Sequence, residues 1–239
     1  LAIDQASLVG APNSIKDCAN SKFSYKDVCL GVSLAEFTKF KKLSLIEPTK
    51  LLKNQDVYSA RRRNVSGDIY GDCQYRNISF MEGHRNPYSY KTPLGFTDII
   101  CSEGNTFLGL TVDVNYVFIN ERLSSININS NGGDNNRVNS INFIAEPLIQ
   151  KMQEPNEKKL VVGNEGVDWN KFFMRWSDDT SKSSFSIDWR TFNDKYQGEV
   201  GSWTILINKP EVMRLYNEAV KQSRIDTDNF INSKSKNDF

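Results

Sequence analysis

The sequence predicts an α+β fold: antiparallel sheets with helices packed on one face, arranged as two similar halves. Several stretches alternate apolar and polar residues with the period of two that a half-buried strand requires, most clearly residues 110–119. Other stretches, around 34–45 and 141–152, place apolar residues at helical spacing. Helix followed by strands occurs twice along the chain, unlike the strict strand–helix–strand alternation of a parallel α/β fold.

Residues 1–28 are mixed in character and read as a docking arm or a short helix leading to Cys18. The segment Cys29-Leu-Gly-Val-Ser-Leu-Ala-Glu-Phe37 is a strand-to-helix turn with a helix start signal. Ser33 and Glu36 form a capping box, the serine oxygen accepting the N3 amide and the glutamate returning to the cap amide. The helix runs from about Leu34 to Leu45, with Leu34, Phe37, Phe40 and Leu43 on its apolar face, and ends near Pro48. Residues 47–68 are polar and read as an exposed connection. Strand patterns follow at Asp72–Phe80 and Phe96–Cys101. A hairpin pairs Leu110–Ile119 with Arg122–Ile128 through Asn120-Glu121, and Asn129 to Asn136 is a glycine-containing loop.

That loop marks a boundary between an N-terminal α+β half, residues 1–130, and a C-terminal one, residues 137–225. In the second half Ile141, Ile144, Leu148, Ile149 and Met152 mark a helical face, with Pro147 starting or kinking the helix. Strands are expected at Asp168–Trp176, Ser183–Arg190 and Ser202–Ile207. A last helix opens at Asn208-Lys-Pro-Glu211, Asn as cap and Pro210 at the first helical position, and runs to about Arg224. Residues 226–239 are polar and read as a mobile tail.

Composition narrows the function. Aromatic content of 11% is globular rather than disordered. A net charge of +1 argues against a polyanion as main partner, so nucleic acid is not expected. His84 is the single histidine, which excludes a His-rich metal site, and no cofactor or metal is implied. No apolar run reaches the roughly 18 residues of a membrane span. The chain opens on Leu1 rather than Met, which fits a processed or truncated form with any signal or anchor removed.

Cys18, Cys29, Cys73 and Cys101 are too widely spaced for a zinc knuckle and point to disulfides in an oxidising compartment. Three connectivities are open. Sequence proximity favours Cys18–Cys29 and Cys73–Cys101, each loop contributing roughly 3 kcal/mol in the chain-entropy account.

The string Leu30-Gly-Val-Ser-Leu-Ala-Glu-Phe37, followed by Val114-Asn-Tyr-Val-Phe-Ile-Asn-Glu-Arg-Leu-Ser-Ser-Ile126, resembles the small α+β modules of bacterial envelope proteins. In those modules a Gly-Met-Ser/Thr turn opens a helix and a later hairpin closes an antiparallel sheet. The BamE lipoproteins look like one copy, and the β-lactamase inhibitory proteins like two tandem copies with disulfides. Gly31, Ser33 and Glu36 match the turn; Phe118, Asn120 and Leu123 match the hairpin. Val32 replaces the usual Met, the insertion before the hairpin is long, and the second half lacks its own turn motif. The resemblance implies protein binding rather than catalysis.

His84 sits in a polar loop without a nucleophile elbow, so an exposed loop histidine is the expectation. Asp178-Asp179, Glu154 and Glu157 read as solvated turn acids rather than a glycosidase pair, and Asp134 as a turn residue rather than a calcium ligand. Catalytic residues are therefore expected to be none. Arg61, Arg62 and Arg63 read as a solvated loop that also suits an acidic partner. Trp169, Phe172, Phe173 and Trp176 place large apolar groups on both sides of one strand; either both sides are covered or one is a contact surface.

These observations lead to an exported, periplasmic or secreted protein that binds another protein, as inhibitor, immunity protein or escort chaperone of a secreted enzyme. A carboxylate-based cell-envelope hydrolase and a structural subunit of an envelope assembly are the alternatives.

Overall fold

The computed structural model describes residues 14–46, 72–75, 98–130, 142–163, 170–194 and 198–235 of the 239-residue chain. Its architecture is α+β. A 3₁₀ turn, Ile15–Asn20, leads to a two-stranded ribbon, β1 (Ser24–Tyr25) and β2 (Val28–Cys29), and then to helix α1 (Leu34–Lys41). Strands β3 (Ser44–Ile46), β4 (Asp72–Tyr75), β5 (Asp98–Phe107), β6 (Leu110–Ile119) and β7 (Arg122–Ser130) follow. Helix α2 (Asn142–Met152) precedes β8 (Glu157–Val161), β9 (Asn170–Asp178), β10 (Ser183–Asp194) and β11 (Gly198–Asn208), and helix α3 (Pro210–Ser235) comes last.

Nine strands form one sheet in the order β3-β4-β5-β6-β7-β11-β10-β9-β8. Only β3 and β4 run parallel; the other pairs are antiparallel. The sheet passes without a break from first half to second, because β7 pairs with β11 from Thr204↔Asn129 to Asn208↔Ser125. The interhalf loop at 131–136 lies outside the described residues.

The two faces of this sheet differ in chemistry. Val112, Val114, Tyr116 and Phe118 of β6, Ile126 and Ile128 of β7, Trp203, Ile205 and Ile207 of β11, and Phe185, Ile187 and Trp189 of β10 share one face and one buried cluster. Burying groups of this size is the main stabilising term of such a fold. That face is covered by the N-terminal segment, α1 and α2. Phe37 of α1 lies 4.7 Å from the Tyr116 ring and 5.1 Å from Phe118. Ile144, Ala145 and Leu148 of α2 join the same cluster, as do Phe23 and Tyr25.

Helices are expected on one face; α3 instead lies on the other. Val212, Tyr216 and Ala219 repeat at helical spacing and cluster with Val117 and Ile119, the β6 residues that alternate away from Tyr116 and Phe118. The Tyr216 hydroxyl also donates to the buried Asp98 carboxylate on β5. Helix α3 continues to Ser235, so residues 226–235 are helical rather than the start of a mobile tail.

The start and the end of α1 both differ from the sequence expectation, the first through a tertiary contact and the second through a local cap. Ser33 does cap α1, accepting from the Glu36 amide at 3.2 Å. The Glu36 carboxylate does not return to the cap; it accepts from Ile15 N at 3.0 Å and Ser14 Oγ at 3.2 Å. The complete capping box belongs to Ser14 and Asp17 at the 3₁₀ turn. Helix α1 stops at Lys41 because Lys42 adopts φ 57°, ψ 41°, which leaves Phe40 exposed and Leu43 beyond the helix.

Both disulfides are present: Cys18–Cys29 ties the 3₁₀ turn to β2, and Cys73–Cys101 joins directly opposed residues of β4 and β5. They fit an oxidising, non-cytoplasmic compartment. Among the described residues no helix is long and apolar enough to cross a membrane.

Candidate functional site

The second face of the sheet is built from the polar half of each alternating strand. Asn127 and Asn129 of β7 stand opposite Leu206 and Thr204 of β11. Those two stand opposite Ser186 and Asp188 of β10, which in turn meet Arg175 and Phe173 of β9. Glu157 and Lys159 of β8 complete the row. Among the described residues α3 is the one element packed on this face, over the end marked by Val117 and Ile119.

Hydroxyl and amide groups stitch this face together across strands. Ser102 Oγ donates to Asn115 Oδ1 at 2.6 Å between β5 and β6. Thr204 Oγ1 donates to Asn129 Oδ1 at 3.0 Å across the β11–β7 seam, and Ser184 Oγ to Asn208 Oδ1 at 2.7 Å between β10 and β11. Each bond satisfies a side chain that burial would otherwise penalise, so the surface is polar and ordered at once.

A depression of about 440 Å³ opens between β9, β10 and β11, with Phe173, Arg175, Ser186, Asp188, Arg190 and Leu206 among its walls. Arg175 places its guanidinium 5.0 Å from the Phe173 ring centroid and its Nη1 3.2 Å from Glu157 Oε2. Arg190 meets Asp188 through Nε at 3.1 Å. A hydrogen bond from Lys159, with the charges of Lys159 and Arg175, holds the Glu157 carboxyl below its ordinary value. On β8–β10 the register puts Lys159, Lys171, Arg175 and Arg190 on this face with Glu157, Asp188 and Asp194, four basic residues against three acidic among the described residues.

A separate polar cluster, on the helix-covered side, is structural. Glu103 Oε1 accepts from Tyr116 at 2.6 Å, Lys41 at 3.0 Å and Asn105 at 3.2 Å, tying α1 to β5 and β6. Burial alone would raise the Glu103 carboxyl; hydrogen bonds from Tyr116 and Lys41 outweigh it and hold the group below its ordinary value. Burial, with the Glu103 charge, pushes the Tyr25 hydroxyl up to about 12.

The expected contact residues separate. Trp176 is buried and donates through Nε1 to Gln153 O at 2.8 Å, so it is a core residue and not a contact residue. Phe172 is half-buried against the same core, while Phe173 belongs to the polar face. Trp169, Arg61, Arg62, Arg63, His84 and Asp134 lie outside the described residues. Asp178 is a turn cap, accepting from Ser181 and from the Thr180 and Ser181 amides, and Glu157 is the ion-paired residue of β8. Among the described residues no three metal-ligating side chains cluster.

Sequence reasoning missed Arg175, Arg190, Asp188 and Thr204. The alternation of Ser184, Ser186 and Asp188 against Phe185, Ile187 and Trp189 already signals a polar side, but nothing local identifies the strands beside it. Comparison with protein-family models, with curated proteins and with solved structures finds no match to this chain.

Proposed function

We propose that this chain is an exported, disulfide-bonded protein that acts by gripping another protein, as inhibitor, immunity protein or escort of a secreted enzyme, in the periplasm or outside the cell. The polar face of the sheet is its contact surface. The observation that carries this reading is the asymmetry of the sheet: one side is an apolar core under the N-terminal segment, α1 and α2, while the other combines Ser, Asn and Thr with Phe173, Arg175 and Arg190. Adaptable small polar groups around an aromatic and arginines form the composition of protein-recognition surfaces. On this face Glu157 and Asp188 are each paired with a cation, which favours binding over a carboxylate-based hydrolase.

The resemblance to tandem envelope modules supports the same reading. Gly31 N donates to Leu123 O at 2.7 Å, Leu123 N to Val32 O at 2.9 Å and Leu34 N to Glu121 O at 2.9 Å, so the turn and the hairpin that carry the likeness are bonded to each other. Gly31 has φ +91°, a conformation that side chains resist. A helix precedes an antiparallel meander that ends in β7 in one part and in β11 in the other, the first with β3 added parallel to β4, and those last strands pair; we read this as two similar halves meeting at the seam.

The complex should bury more than ~1,200 Å². A photo-crosslinking residue at Thr204, on the polar face, should yield a single one-to-one adduct in the native envelope fraction, and one at Lys16 should not. The purified partner should then bind the Thr204→Arg variant at least ten-fold more weakly. No adduct, or equal adducts from both positions, would refute the assignment.

A further inference from the structure

We infer that the depression between β9, β10 and β11 receives a carboxylate side chain presented by the partner protein, clasped by Arg175 and Arg190. This rests on the protein-binding reading of the sheet face and names the chemistry of what that face accepts.

Both arginines are only partly engaged. Arg190 uses Nε toward Asp188, and Arg175 uses Nη1 toward Glu157. A guanidinium carries five N–H donors in a planar fork, so each pairing leaves donors for a further acceptor. The two arginine side chains are 46% and 54% exposed, which keeps them accessible. Phe173 lies beneath Arg175 and holds the guanidinium plane in place, reducing the ordering that capture of a carboxylate would require.

The recess is polar where an acid needs it and apolar where a methylene stem needs it. Ser186 and Thr204 contribute hydroxyls to its lining, and Phe173 and Leu206 contribute hydrocarbon. The surplus of one basic residue on this face of β8–β10, with both arginines at the recess, draws an acidic surface toward the same place. The occupant is accordingly an Asp or Glu on an exposed loop of a protein with an acidic contact surface.

The test uses the full chain labelled with ¹⁵N-arginine and follows the Nε–Hε signals by NMR. N-acetyl-glutamate N-methylamide should shift Arg175 and Arg190 together and saturably, with half-saturation on the order of 10 mM, the strength of one charge-assisted contact. Arg214, ion-paired on exposed α3, serves as the internal reference. The glutamine analogue should give no saturating shift, and acetate and inorganic phosphate should bind at least three-fold more weakly than the blocked glutamate. Arg190→Gln should weaken the response at least five-fold while other signals hold their positions; Arg175→Gln serves as the second variant. A shift that stays linear, matches Arg214, or is equalled by phosphate, acetate or the glutamine analogue overturns the proposal. That result leaves crosslinking from Thr204 untouched, so the broader binding assignment stands or falls separately.

Discussion

Glu103 shows how one side chain can hold three elements together. Its carboxylate gathers Lys41 of α1, Tyr116 of β6 and Asn105 of its own strand. Because its folded pKa lies below the ordinary 4.5, the stabilisation it provides is present above that value and is lost as pH falls through the folded one. Thermal melts between pH 3 and 7, as rough limits for that window, should show this decline, and Glu103→Gln should flatten it while costing about 1–2 kcal/mol at neutral pH, given the partial exposure of the site. Phe37 acts by volume instead. It is fully buried between Tyr116 and Phe118, so Phe37→Ala should cost about 3–5 kcal/mol in denaturant unfolding. The position of Phe37 is legible from its helical spacing. The partner of Glu36 is not, because Ser14 and Ile15 lie 22 and 21 residues away along the chain, in the 3₁₀ turn that the Cys18–Cys29 bond ties to β2.

The β6–β7 hairpin shows the same contrast at the scale of elements. The bounds of β6 and the start of β7 follow from the period of two, while Asn129 and Ser130, expected in the loop, continue β7; Asn120 and Glu121 both adopt the positive φ that a tight two-residue turn needs. The bulge is hidden. Phe118 pairs with Leu123 and Val117 with Ser125, so Ser124 is the extra residue. Through it Leu123, Ile126 and Ile128 all join the apolar core, which strict alternation would forbid. Deleting Ser124 should keep Leu123 in the core, because Leu123, Ser125 and Ile126 then alternate inward, outward and inward against Phe118, Val117 and Tyr116; amide protection at residues 31–34 should persist, whereas Leu123→Asp should abolish it. Two small serines in a row carry no mark of which is the insertion. The length of α3 is hidden for a related reason: a polar sequence after Arg224 carries no stop signal, and α3 ends at Ser235.

For the whole molecule, α+β class was legible and the assignment of helices to faces was not. Helical spacing shows that a helix has an apolar side; it does not say which side of a distant sheet receives it. The seam between β7 and β11 also comes from segments about 75 residues apart, as in the Thr204–Asn129 bond, which local patterning cannot register. Since one cluster spans both halves, they should unfold together. Tryptophan fluorescence, which reports only residues 169–203, should therefore melt with far-UV circular dichroism; an earlier fluorescence transition would show the halves to be independent. The Cys73–Cys101 bond has one more effect, on survival in a protease-rich setting. It closes a covalent ring through residues 74–100, so one scission anywhere inside that ring frees no fragment. A nicked molecule would still migrate as a single species until a reductant opened it, with β4 still tethered at the register that places it beside β5.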